Sequence, residues 1–376
     1  MSLCVYVITL SICSIVIVLL LILAGTLLLS YDLAVAPSGP FDPLLGPGHI
    51  DMVVTWAGPP NHERSTTRRR YLRAFDGQTN VSTTGDEVAA MRIDDNGEMV
   101  ALLQRAYLFG GKWLRKIHII CPIGSVLPEC QIRTVLSPAA YEEVRSRIQI
   151  HSEADIVPKE ALPLFNSHAF EANLDRVPGL SEPFLYACDD MWLNAKIPDN
   201  SFFDTEGRPR LLMKRNTWLC LQKNLFCMSR SIHHQAMHNS SRMVKSLVKK
   251  SFAFLSPEHH IHPLTREGFE LARQAFPEDF ERVTRSRFRT HTDFHPVALV
   301  QNMLRVRGLA SVEPCELRHC LLNMYEYAWR TRLGRHMSVL TGSLTAAHLL
   351  CINDHCNHKT PQFHAWLRRN ALISFV

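Results

Sequence analysis

The sequence predicts an α/β protein with a largely parallel sheet, followed by a more helical C-terminal part. Two observations support this prediction: short runs rich in Val, Ile and aromatic residues alternate with helix-like segments, and four such runs precede residue 190. Alternating strands and helices favour a parallel sheet covered by helices. At 376 residues and 46% hydrophobic content, the chain is long enough to bury a large core.

The individual elements follow from residue type and from helix start and stop signals. β-branched and aromatic content predicts four strands, at residues 50–56, 116–121, 148–151 and 184–188. Gly110 ends a helix over 98–109, and Asn166 with Ser167 caps a helix that runs to about residue 177. The C-terminal part, residues 257–376, is predicted to contain helices at 268–276, 296–307, 320–335 and 360–376.

The N-terminal segment differs in composition from the rest. Residues 3–29 carry no charge and are mostly Val, Ile and Leu, in a run long enough to cross a bilayer as a helix. We interpret residues 1–30 as a transmembrane signal anchor, the Pro- and Gly-rich residues 31–48 as a stem, and residues 49–376 as the folded domain. A signal peptide cleaved near Ala24 is the alternative.

The spacing of the cysteines is evidence about the cellular compartment in which the chain folds. Nine of the eleven cysteines lie outside the apolar run, and close pairs among them are typical of disulfides in a secreted chain. Buried reduced thiols are the alternative. The pairs are Cys121/Cys130, Cys220/Cys227, Cys315/Cys320 and Cys351/Cys356. Asn-X-Ser triplets at Asn80 and Asn239 are consistent with a lumenal domain.

Charge is concentrated in one stretch. Between Glu206 and Glu258 there are ten Lys and Arg and no acidic residue, whereas the whole chain has a net charge of +6. We therefore treat residues 206–256 as a basic insert. It favours an anionic partner such as a nucleotide or a phosphorylated glycan, and a solvated helical face is the alternative.

Asp189 and Asp190 follow the fourth predicted strand. Ligand sites in α/β sheets lie beyond the carboxyl ends of the strands, and paired carboxylates bind Mg²⁺ or Mn²⁺. A solvated turn is the other interpretation of such a pair. His259 and His262 offer imidazoles that can accept a proton, and Arg289 offers a guanidinium suited to phosphate. Each of these signals is weak by itself.

The order of these motifs resembles that of the Stealth family of sugar-1-phosphate transferases. The matching segments are Ile50 to Trp56; Arg92 to Glu98 with Trp113 to Ile120, Leu162 to Glu171 and Pro178 to Met191; His259 to Asp293; and Cys351 to Lys359. Four segments in one order are far more specific than any one motif. The chain departs from the family pattern at Ala57 to Pro60 and at Cys188, where the family has Asn.

The resemblance implies a Rossmann-like, glycosyltransferase-A-like fold, a Stealth-type catalytic domain over 49–376 and a defined set of site residues. The catalytic residues that it implies are Glu171, Asp190, His259 and Arg289. The implied substrate-binding residues are Asp51, Trp56, Asn96, Asn166, Ser167, His262 and Asn353. Asp189, Asp190 and Asp354 are implied ligands of Mg²⁺ or Mn²⁺.

The implied reaction joins sugar-1-phosphate from a nucleotide-diphosphate sugar to a hydroxyl of a glycan or glycoprotein, and releases UMP or GMP. The donor sugar remains open between N-acetylglucosamine and mannose. A Golgi membrane location with a lumenal catalytic domain is expected, and no nucleic acid partner. Two alternatives stay open: a metal-dependent, membrane-anchored glycosyltransferase that releases a nucleoside diphosphate, and a non-catalytic protein that binds anionic glycans.

Overall fold

The computed structural model describes residues 49–59, 61–79, 97–197, 199–212, 232–248, 252–313, 319–323 and 348–353. All of them belong to one unit, which begins at Asp42. The predicted anchor and stem and much of the basic insert lie outside this part of the chain. In the part that is described, no helix has both the length and the apolar character needed to cross a membrane.

Five strands form the central sheet. In spatial order they are β3 (Ile148–Ser152), β2 (Leu114–Cys121), β1 (Ile50–Thr55), β4 (Phe184–Cys188) and β7 (His262–Leu264). The first four run parallel to their neighbours, and β7 pairs antiparallel with β4. The predicted largely parallel sheet is confirmed, and all four predicted strands are present. Strand β7 was not predicted.

Helices cover both faces of this sheet, which explains why the strands are apolar on both sides. On one face Met52 and Val54 of β1 pack in a core with α2; on the other, Val53 packs in a second core with α9. The helices are α1 (His62–Thr79), α2 (Glu98–Phe109), α3 (Glu129–Val135), α4 (Pro138–Arg147), α5 (Ser167–Glu171), α6 (Ile232–Leu247), α7 (Arg266–Ala275), α8 (Pro277–Arg285) and α9 (Pro296–Val306).

Two small sheets lie outside the central one. β5 (Met191–Leu193) pairs antiparallel with β10 (Leu349–Asn353), which runs parallel to β9 (His319–Asn323). β6 (Arg210–Leu212) pairs parallel with β8 (Ser311–Glu313). The pairing of β5 with β10 matters most for the site, because it brings the end of the described chain against the turn that follows β4.

Two predictions of secondary structure need correction, and one helix occurs where no element was predicted. Residues 320–323 of the predicted helix 320–335 are strand β9, whose apolar residues pair with β10 instead. Helix α5 ends at Glu171, and a separate 3-10 turn, Leu174–Arg176, follows it. The arginine-rich stretch after β1, for which no element was predicted, is helix α1.

The predicted pairing of Cys121 with Cys130 is wrong. Both are free thiols; Cys121 is buried at the end of β2, whereas Cys130 is exposed on α3. Cys351 is also a free, buried thiol, so the predicted pair with Cys356 is not formed either. The Asn239 triplet lies within α6, where Ser240 is fully buried. The Asn239 amide donates hydrogen bonds to the carbonyls of His291 and Asp293, so it holds a loop in place.

Candidate active site

An acidic turn lies at the carboxyl end of β4. Asp189 and Asp190 connect β4 directly to β5, and both are half-buried. The indole of Trp192 donates a hydrogen bond to the carbonyl of Asp189 at 2.7 Å, and this fixes the backbone of the turn. The carboxylates therefore sit at the edge of the sheet where ligands of α/β proteins bind.

A thiol and an imidazole lie against this turn. In β10, Cys351 pairs with Met191 of β5, and its thiol donates to Asp190 Oδ2 at 3.5 Å. Nδ1 of His259 lies 3.2 Å from the same sulfur. Burial, followed by the negative charge of Asp190, raises the pKa of the Cys351 thiol well above its usual value. The sulfur is therefore protonated and connects the carboxylate to the imidazole.

Glu171 lies within electrostatic range of the end of β4. It is the last residue of α5 and is buried, and its Oε2 makes no hydrogen bond to any described residue. Burial is the main cause that raises the pKa of Tyr186 and of Cys188, and the charge of Glu171 adds to it for both. A buried carboxylate with an unsatisfied oxygen is costly, unless a ligand satisfies it.

Arg289 belongs to a loop that the α5 region holds in place. Its guanidinium donates to the hydroxyl of Ser167 at the start of α5. Asn166 caps α5 and also donates to the carbonyls of Ser286 and Phe288 and to Asp293 Oδ2. Asn166 is fully buried, with its amide committed to these bonds, so it positions the Arg289 loop.

His295 lies within electrostatic range of both Arg289 and His259. Burial lowers the pKa of His295 well below its ordinary value, and the charges of His168, Arg289 and His259 lower it further. His259 and Arg289 therefore both lie within electrostatic range of one side chain. His262 is buried in β7, opposite Tyr186, with a ring-centroid separation of 6.1 Å.

The structure does not bring all the predicted residues together. Asp51 lies near the amino end of β1, fully buried, where Arg115, His118 and the backbone of Ser181 donate to its carboxylate. Trp56 follows β1 directly, but its side chain is buried in the hydrophobic core. Asn96, Asp354 and the side chain of Asn353 lie outside the described part of the molecule.

The donor set at the acidic turn fits a hard divalent cation on its carboxylate side. Asp189 and Asp190 offer carboxylate oxygens, which are the ligands that Mg²⁺ and Mn²⁺ prefer. Ligating atoms of Asp190, His259 and Cys351 also lie within 4.8 Å of one another, but thiol and imidazole suit softer ions.

Sequence reasoning missed the role of Cys351 as a contact of both Asp190 and His259. The alternation of β10 could have placed its side chain on the buried face, but only the pairing of β5 with β10 brings it to the turn. Thr55 was missed in the same way: its hydroxyl lies 3.1 Å from the Tyr186 hydroxyl across the β1–β4 pair.

The fold and the site together define an α/β protein with an acidic, cation-compatible site at the carboxyl edge of a parallel sheet. Residues 92–211 match the family Stealth protein CR2, conserved region 2. The resemblance to the Stealth family is thereby confirmed. The matched region contains α2, Glu171 and both aspartates of the turn.

Curated relatives are named as phosphotransferases. The chain is 25% identical over 265 residues to capsular polysaccharide phosphotransferase LcbA of Aeromonas hydrophila, covering 69% of this chain and 67% of that protein. It is 30% identical to exopolysaccharide phosphotransferase CpsY of Mycobacterium leprae, covering 65% and 41%, and 26% identical to capsular polysaccharide phosphotransferase SacB of Neisseria meningitidis, covering 71% and 45%. The chain thus spans less than half the length of the last two.

The solved structures that match the chain are distant from it. The galactosyltransferase LgtC matches with a TM-score of 0.40 at 9% identity, over 87% of this chain and 98% of that one. Mouse xyloside xylosyltransferase 1 matches with a TM-score of 0.31 at 12% identity, over 83% of this chain and 99% of that one.

Proposed function

We propose that this protein transfers sugar-1-phosphate from a nucleotide-diphosphate sugar to a glycan hydroxyl and releases UMP or GMP. The observation that carries the proposal is the contact of Asp190 with His259 through Cys351 at the carboxyl end of β4. Glu171 lies within electrostatic range of Cys188 at the same strand end, and Arg289 lies within electrostatic range of His295, as His259 does. The phosphotransferase names of the relatives support the same reaction class.

The reaction assigns one task to each side chain. The acceptor oxygen attacks the sugar-linked phosphorus, the bond to the bridging oxygen breaks, and the nucleoside monophosphate leaves with the electron pair. His259 accepts the proton of the acceptor hydroxyl at Nε2, because Nδ1 faces the Cys351 sulfur. Arg289 binds the transferring phosphoryl group, on which negative charge accumulates. Ser167 orients the guanidinium.

Mg²⁺ or Mn²⁺ held by Asp189 and Asp190, with Asp354 as a further ligand, would neutralise charge on the diphosphate. Glu171 binds a donor hydroxyl or supports the cation site, since its Oε2 lacks a hydrogen-bond partner among the described residues. UDP-N-acetylglucosamine and GDP-mannose are the proposed donors, and a glycan or glycoprotein is the acceptor. We also propose that residues 1–30 anchor the chain in the Golgi membrane, with the catalytic domain in the lumen.

Identification of the released nucleotide tests the proposal. The full chain in detergent is incubated with Mg²⁺ or Mn²⁺, each donor and simple mannosides, and the products are separated by chromatography. UMP or GMP is expected, and chelation of the metal should abolish its release. UDP or GDP would instead assign the chain to the glycosyltransferases. Turnover should be lost in Asp190→Asn and kept in Glu142→Gln, which changes an exposed carboxylate on α4.

A further inference from the structure

Three histidines from separate elements meet beside the Arg289 loop. His168 is in α5, His233 in the first turn of α6, and His295 is the residue before α9. One ring nitrogen of each lies within 4.8 Å of one ring nitrogen of the others. The three residues are 65 and 62 positions apart along the chain, so their meeting is a product of the fold rather than of local sequence.

Two of the three ring separations are close to those of tetrahedral metal coordination. The ring centroids of His168 and His295 are 5.5 Å apart, and those of His233 and His295 are 5.3 Å apart. Zinc–nitrogen bonds are about 2.0–2.1 Å long, so two imidazoles on one tetrahedral ion have centroids roughly 5 Å apart. The observed separations are close to this value, and the rings are inclined to each other at 49° and 79° rather than stacked.

The carboxylate of Asp293 lies next to the ring of His168. Nδ1 of His168 lies 3.6 Å from Asp293 Oδ2, and both side chains are buried. Asn166 and Thr290 donate to the same carboxylate and hold it in place. A carboxylate that orients the outer nitrogen of a histidine is the usual second partner of a metal-bound imidazole. Because Nδ1 faces this carboxylate, we assign Nε2 of His168 as the metal-binding nitrogen.

Access and ligand type also suit a cation that prefers nitrogen ligands. His233 is exposed and gives an ion a route from solvent, whereas His168 is buried. The set contains no thiolate or carboxylate ligand, which favours Zn²⁺ over Mg²⁺.

Two features oppose metal binding, namely the helix-capping hydrogen bond of His295 and the positive charge of Arg289, and both are outweighed. His295 Nδ1 accepts a hydrogen bond from the backbone of Ala298 at 3.3 Å, and ligation requires that weak cap to be given up. A capping bond contributes far less than a metal–imidazole bond. The charge of Arg289 repels a cation, but three protein ligands leave a fourth position on zinc for an anion. Such an anion would screen the two charges from each other.

We propose that His168, His233 and His295 form a site for a divalent transition metal, Zn²⁺ by its ligand chemistry, apart from the acidic turn. Its three ligands leave one coordination position open. The proposal does not depend on the transferase activity, because a bound metal is detected without turnover.

Metal content provides the test. The full chain in detergent is stripped with chelator, loaded with ZnCl₂, desalted and analysed by mass spectrometry for zinc. His233→Ala removes an exposed ligand without touching the core. His295→Asn removes a ligand while keeping a residue that caps helices well. His234→Ala, an exposed neighbour of His233 on α6, is the matched control.

Wild type and His234→Ala should hold about one equivalent of zinc more than either ligand variant. Zinc should raise the unfolding temperature of the wild type and of His234→Ala only. In these two proteins, bound Co²⁺ should show the intense visible absorption of tetrahedral coordination. The same zinc content in all four proteins would overturn the proposal, as would a wild type that takes up no zinc. Because variants are compared, zinc on the Cys- and His-containing stretch 351–358 does not affect the result.

Discussion

At the scale of single residues, the site depends on how His259 is held. The Cys351 sulfur lies between Asp190 and His259, at 3.5 Å and 3.2 Å. The Cys351 thiol donates its hydrogen to the Asp190 carboxylate, so a lone pair on the sulfur can accept a hydrogen bond from Nδ1–H of His259. Cys351 is therefore a positioning residue that sets the tautomer of the proposed base.

Replacing Cys351 by Ala should lower kcat by about tenfold, because loss of one hydrogen bond costs roughly 0.5–1.5 kcal/mol. KM should change little. Ser at this position keeps a donor and an acceptor and should restore most of the activity. Steady-state kinetics of both variants check this, with Cys130→Ala, an exposed thiol, as the control. Wild-type kcat in Cys351→Ala would contradict the role.

Arg289→Ala should reduce kcat/KM by at least about 100-fold, because the charge on the transferring phosphoryl group loses its guanidinium partner. Arg289→Lys should recover only part of this loss, since Lys cannot form a bidentate contact. The comparison variant is Arg285→Ala, an exposed arginine of α8 that pairs with Glu281. If both alanine variants turn over like the wild type, Arg289 has no part in the chemistry.

At the scale of residues, the sequence predicted which residue types form the site better than it predicted the role of each residue. Asp190 and His259 lie together, joined through Cys351, and Glu171 lies within electrostatic range of Cys188 at the end of β4. Asp51 and Asn166 were expected to bind substrate, but the structure places both in buried hydrogen-bond networks. Residue type alone cannot distinguish these cases, because a buried carboxylate with partners and an exposed one look the same in a sequence.

At the scale of elements, hydrogen bonds of Asp51 join β1 to β2 and to the loop before β4. Burial raises the pKa of this carboxyl, but hydrogen bonds from Arg115, His118 and the Ser181 backbone outweigh burial and hold the pKa at about 2. The network joins β1 and β2 to the loop before β4, so it supports the strands that end at the site.

The pH dependence of stability should follow from this carboxylate. Its folded pKa is below its ordinary 3.8, so its contribution of about 2 kcal/mol is present above that pH and is lost as the pH falls toward 2. Asp51→Asn should therefore destabilise the protein at pH 7, and the difference from wild type should shrink in acid. Urea unfolding at several pH values measures this, with Asp279→Asn, an exposed carboxylate, as the control. A difference independent of pH would count against the account.

Helix α6 gives a second prediction at this scale. A glycan on Asn239 would remove the two hydrogen bonds that hold the carbonyls of His291 and Asp293. We expect Asn239 to carry no glycan when the chain is made in a glycosylating host. Any shift in mass on glycosidase treatment should therefore disappear in Asn80→Gln and persist in Asn239→Gln. A shift that survives Asn80→Gln would place a glycan on α6.

At the scale of the whole molecule, the sequence predicted the parallel sheet and four of the nine helices of the described residues, because their apolar patterns are local. The edge strand β7 and strands β9 and β10 were not predicted, because short strands are defined by their pairing partners rather than by their own residues. The contact of β10 with the turn after β4 joins segments about 160 residues apart. No local pattern reveals such a contact.

The most direct test of the proposed reaction follows the β-phosphate of the donor. A nucleotide-diphosphate sugar with radioactive phosphorus in the β position is incubated with the full chain, metal and acceptor, and the label is located by chromatography. The account predicts that the label moves to the acceptor together with the sugar, leaving an unlabelled nucleoside monophosphate. Label that stays in a nucleoside diphosphate while the sugar moves would contradict sugar-1-phosphate transfer.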